Sequence, residues 1–72
     1  MNSYLLRIIG PNIDEKPNKH CGSDAEAIEL ALAIAARYPL NTHISVYRVY
    51  DVEGREHKQY IGQVEHVVRR TL

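Results

Sequence analysis

The only cysteine of the chain follows a histidine and precedes a helix start, in the stretch "KPNKHCGSDAEA" at residues 16–27. A thiol near a helix N-terminus with an imidazole beside it is the raw material of a nucleophile, since both neighbours favour the thiolate. Catalysis asks for more: a base oriented by a third group, and donors placed where negative charge develops. His20 and Cys21 are sequence neighbours, which rarely point at one another, and no motif supplies the missing parts. The pair therefore reads as loop residues ahead of a helix cap, and no catalytic residue is assigned.

Metal ligation has Cys21, His20, His43, His57 and His66 to draw on. A structural zinc site takes four ligands, usually in close pairs such as Cys-x2-Cys or His-x3-His, and neither spacing occurs. His43 and His57 can meet across a hairpin, but two imidazoles alone hold a metal weakly. The carboxylates Asp14/Glu15, Asp24/Glu26/Glu29 and Asp51/Glu53 belong to a loop, a helix start with its solvent face, and a turn. Each set has a structural role before a catalytic one. Glycines 10, 22, 54 and 62 are isolated, so no phosphate-cradling loop forms. The expectation is a non-enzymatic protein with no metal and no cofactor.

Basic and aromatic residues offer a different chemistry. Tyr47, Arg48, Arg55, Lys58, Arg69 and Arg70 form the alternative set for nucleic-acid contact, by base stacking and phosphate pairing, with Lys16, Lys19, Tyr50 and Tyr60 as further candidates. Against this, acidic residues are interleaved throughout, and nine Lys and Arg balance nine Asp and Glu. A chain without net charge lacks the field that drives phosphate binding.

The elements that position these residues follow from periodicity and punctuation. At 72 residues the chain holds one domain, residues 1–72, and a domain this small buries only about 60% of the surface its unfolded chain exposes. "SYLLRII" at 3–9, stopped by Gly10-Pro11, is a strand. Residues 10–22, with two prolines and one large apolar residue, read as a long solvated loop. Ser23 and Glu26 fit a capping box and Pro39 is a stop, which predicts a helix over 24–38. Its apolar stripe is Ala27, Ile28, Ala31, Ile34, Ala35 and Tyr38.

Residues 43–52, dense in Ile, Val and Tyr, and a second arm from about residue 56 to 64 or beyond form a hairpin around Glu53-Gly54, with a possible bulge at Gly62. Residues 65–72 fit a helix or a strand, and the poor helix propensity of valine favours a continued strand. The resulting fold class is α+β: a β-α-β-β order with a three-stranded, mainly antiparallel sheet and one helix packed on one face.

One helix covers one face of a sheet. If it covers Ile44 and Val46, strand alternation leaves Tyr47 and Val49 on the open side, with Leu5, Arg7 and Ile9 of the first strand. Leu5, Arg7, Tyr47 and Val49 are the candidate partner-binding residues, unless Val67 and Val68 fold back over them. The function expected is a protein-binding module, either a homodimer or one docking a larger protein through the open face or an edge strand, such as an inhibitor or regulator from a phage or mobile element. The lone cysteine fits a reducing compartment, and no apolar run reaches the ~20 residues of a membrane span, so a cytoplasmic protein is expected, with no membrane partner.

Overall fold

The computed structural model describes residues 1–66, and Val67, Val68, Arg69 and Arg70 lie outside them. The class is α+β, with one helix among the described residues and an antiparallel sheet. Five strands are present among the described residues where three were expected. They are β1 (Asn2–Gly10), β2 (Ile13–Glu15), β3 (Asn18–Cys21), β4 (His43–Val52) and β5 (Arg55–Glu65), with α1 (Asp24–Ala35) between β3 and β4.

The additional strands come from the segment expected to be a loop. Pro11 and Asn12 make a two-residue turn, with Asn12 at φ 61°, the left-handed region that asparagine tolerates. The chain then returns along β1, pairing Ile8 with Glu15 and, in the same register, Leu5 with Asn18. β2 and β3 thus form one edge strand with a break at Lys16-Pro17. The carbonyl of Pro17 accepts from the Leu6 amide at 3.0 Å, but proline has no N–H to return, so the ladder lapses there. Edge strands are where proline is tolerated.

β1 is central. It pairs with the β2/β3 edge on one side and with β4 on the other, and β4 pairs with β5. Between β4 and β5 the register shifts by one: Val46 faces Gly62 and Tyr47 faces Tyr60, leaving Ile61 as the extra residue of a bulge. Beyond the end of β1 the β4–β5 hairpin runs on as a two-stranded arm. Every residue from Tyr50 to Tyr60 is exposed, and the molecule measures 51 × 25 × 15 Å. Glu53 (φ 52°) and Gly54 (φ 77°) turn the arm, both in the positive-φ region that a type I′ hairpin turn requires.

The helix starts as its cap predicts. Ser23 Oγ accepts from the Glu26 amide at 3.2 Å, while Glu26 Oε2 reaches back to the Gly22 amide at 2.8 Å. It ends earlier than expected, because the Arg37 and Tyr38 amides bond three residues back, to Ile34 and Ala35, tightening the last turn. Ala27, Ala31 and Ala35 are buried against the sheet, and their size lets the helix lie close to it. The core between the layers is Tyr4, Leu6, Ile8, Ile44, Val46 and Val64, with Cys21 at its margin. Past the end of β5, His66 exchanges backbone hydrogen bonds with Asn41 and Thr42. Its ring Nδ1 lies 2.6 Å from the Tyr38 carbonyl oxygen, which ties the sheet to the helix exit.

Candidate functional site

The face of the sheet opposite α1 is built by parity. Tyr4, Leu6, Ile8, Ile44 and Val46 point into the helix-covered core, so the alternate residues of β1 and β4 point the other way. Cross-strand pairing then aligns them in rows. Leu5 faces Tyr47 and Tyr47 faces Tyr60, an apolar row across three adjacent strands. The rings of Tyr47 and Tyr60 meet edge to face, with centroids 5.7 Å apart at 65°, an arrangement that favours the pair beyond its area. On one side of this row lie Ser3, Val49 and Lys58; on the other lie Arg7, Ser45 and Gln63.

Of the partner-binding candidates, Leu5, Tyr47 and Val49 are half-buried and Arg7 is exposed, all on this one face. Tyr60 belongs to the row as well and is 55% exposed. Its facing could not be read from sequence, because the bulge at Ile61 reverses the alternation of β5. At the far end of the face, His43 Nδ1 lies 2.9 Å from Glu65 Oε1 and 3.2 Å from Gln63 Nε2. The two contacts need opposite protonation of that nitrogen, so the amide and the carboxylate compete for it.

The alternative nucleic-acid residues do not share a surface. Tyr47 and Lys58 are on the open face, with Lys58 Nζ 3.9 Å from Glu56 Oε2. Arg48 is on the opposite face, where it donates to Asp24 Oδ2 at 3.1 Å and to Gln59 Oε1 at 2.6 Å. Arg55, opposite Val52 in the register, shares that second face. Arg69 and Arg70 fall outside the described residues.

The helix side carries a polar network instead. The Tyr4 hydroxyl donates to Asp24 Oδ1 at 2.6 Å, and Asn2 Nδ2 donates to that hydroxyl at 3.3 Å. Burial, then the bond to Asp24, pushes the Tyr4 phenol above its ordinary pKa. The Tyr38 phenol is also raised, chiefly by the 2.7 Å hydrogen bond it donates to Glu15.

Cys21, placed by sequence in an exposed loop, closes β3 and is buried. His20 alternates away from it and is exposed. Among the described residues no group of three or more His, Cys, Asp and Glu is gathered as a metal would need, and no helix is long and apolar enough to cross a membrane.

The chain was compared with protein-family models, with curated proteins and with solved structures, and none of the three comparisons found a match.

Proposed function

We propose that this chain is a non-enzymatic protein-binding module that works through the sheet face opposite α1. Leu5, Arg7, Tyr47 and Val49 make the contact, with Tyr60 extending it. The observation that carries the reading is the row Leu5–Tyr47–Tyr60, three large apolar side chains aligned across β1, β4 and β5 on the side away from the helix. Aromatic and aliphatic groups clustered on one sheet face, ringed by Arg7, Gln63 and Lys58, have the composition of a contact centre with a polar rim. The division of the basic residues between two faces supports this reading over nucleic-acid contact, which needs cations and stacking rings on one track.

A photoreactive phenylalanine analogue placed at residue 47 in the expressing cell tests the proposal, with the same analogue at residue 53 on the arm tip as the control. The expected result is protein–protein adducts of discrete mass from position 47, lost when Leu5→Glu is added. Adducts with nucleic acid alone, or none at 47, overturn it.

A further inference from the structure

The surface available for association is a face and not an edge. One edge of the sheet is β2/β3, broken at Pro17; the other is β5, kinked by the Ile61 bulge and lined with Arg55, Glu56 and Lys58. Proline, bulges and charges are the devices that block edge-to-edge pairing. Among the described residues the open face has no such guard. Four strand positions at ~4.8 Å and nine residues of β1 at ~3.3 Å give it a footprint of roughly 600 Å². Its accessible surface is larger than that flat projection, which brings it near the ~800 Å² per partner of a standard specific interface.

Resting on the protein-binding reading above, we propose that the partner is a second copy of this chain. The two open faces stack about a twofold axis lying between the sheets, perpendicular to the strands. The axis passes between the row Leu5–Tyr47–Tyr60 and the row Ser3–Val49–Lys58. The argument is self-complementarity. Such an axis lays β4 antiparallel over β4 and exchanges residues two apart along each strand. Tyr47 then packs on Val49 of the second copy, and Tyr60 lies over the Lys58 ammonium of the second copy in a cation–π contact. Moving outward, Ser45 meets Asp51 and the Gln63 amide meets the Glu56 carboxylate, an acceptor and a donor in each case. Every contact occurs twice, as a closed isologous interface requires. The product has four layers, helix, sheet, sheet, helix, with the two sheets about 10 Å apart and Leu5, Tyr47 and Val49 as a second core.

Light scattering on the full chain, from low micromolar to millimolar concentration, reads the assembly. A particle of twice the 8.2 kDa chain mass is expected. Tyr47→Glu and Val49→Glu should each weaken it at least about tenfold, with the far-ultraviolet dichroism of the monomer retained. Exposed Gln63 tests the axis without endangering the fold: Gln63→Lys, opposite Glu56 of the second copy, should tighten the dimer at low salt and Gln63→Glu should loosen it. Leu32→Glu, on the outer side of α1, should change nothing. A chain that stays monomeric at millimolar concentration overturns the dimer, as does a dimer indifferent to Tyr47→Glu and Val49→Glu. Equal responses to both Gln63 variants overturn the axis. Cross-linking from position 47 to a different protein, with a monomer in solution, removes the dimer and leaves the binding module; failure of both experiments removes both.

Discussion

The Tyr4 hydroxyl donates a 2.6 Å hydrogen bond to Asp24 Oδ1, so the central strand holds the first turn of the helix through a fully buried side chain. Asp24 also accepts from Arg48 on β4. A single carboxylate therefore joins β1, α1 and β4. Tyr4→Phe removes the donor and keeps the ring, and the expected loss is about 1–2 kcal/mol. Asp24→Ala should cost more, because it leaves a buried hydroxyl without its acceptor and takes one of two acceptors from the half-buried Arg48 guanidinium. Urea denaturation of the two variants gives the order, and a Tyr4→Phe loss equal to or larger than that of Asp24→Ala would count against this account.

The same bond sets a pH dependence. The Tyr4 phenol is raised above its ordinary value of 10.0 by burial and by Asp24, so the folded protein holds this proton more tightly than the unfolded chain does. The stability it contributes is complete below pH 10 and is lost as pH rises through the higher folded value. Tyr38 acts in the same sense. Thermal unfolding followed from pH 8 to 11 should show a fall at the alkaline end, and the fall should be shallower in Tyr4→Phe. Parallel curves would separate Tyr4 from the effect.

Two glycines sit at close approaches, Gly62 under the helix and Gly10 beside Thr42 at the end of the β1–β4 pairing, and they should not respond alike. A Cβ at Gly62 would lie 2.8 Å from Ile28 Cδ1, the tip of a side chain that can turn aside. At Gly10 a Cβ would meet Thr42 Oγ1 at 2.7 Å and its Cα at 3.4 Å. Thr42 is buried and held by its 2.6 Å hydrogen bond to the Pro39 carbonyl, so little can give. Gly10→Ala is expected to cost about 2–3 kcal/mol and Gly62→Ala about 1 kcal/mol or less. Shortening the neighbour with Ile28→Val should recover the Gly62→Ala loss. Chemical denaturation of the single and double variants measures both.

The arm turn is improvable. Glu53 holds φ 52°, a conformation that costs an ordinary L-residue about 1 kcal/mol and asparagine less. Glu53→Asn creates the Asn-Gly pair favoured in type I′ turns and should stabilise the hairpin by about 0.5 kcal/mol. Slower amide exchange along residues 50–59, with the rest of the protein unchanged, is the expected sign. Faster exchange would show that the glutamate is held there by something other than the turn.

The helix start, the β4–β5 hairpin and the facing of Leu5, Arg7, Tyr47 and Val49 were legible because each depends on local chemistry or parity: a serine cap, an Xaa-Gly turn, an uninterrupted alternation. The β1–β2/β3 hairpin was not legible. Its residues from Asp14 to His20 are polar, and Pro17 interrupts them; they are strand because β1 offers them a ladder, which is a property of the partner and not of the segment. Cys21 was misplaced with that segment. The helix end was overestimated because Arg37 and Tyr38 keep the helical spacing while their hydrogen bonds shift to a tighter turn. Tyr60 was missed as part of the open face because a one-residue irregularity near Gly62 can be suspected from sequence but its position cannot be fixed.

That irregularity makes β5 two reading frames joined at Ile61. Odd-numbered residues ahead of it point toward the helix side, and even-numbered ones do so after it. Deleting Ile61 would join the frames with every side chain still on its present face, whereas closing the bulge with Ile61 kept would turn one half of the strand over. Either Val64 would leave the core, or Tyr60 and Lys58 would exchange sides with Gln59 and His57. Loss of the bulge without loss of a residue is therefore a change of surface and not of length. Substitution can adjust the open face one side chain at a time, whereas a shift of frame at Ile61 replaces one half of the β5 side of it in a single step.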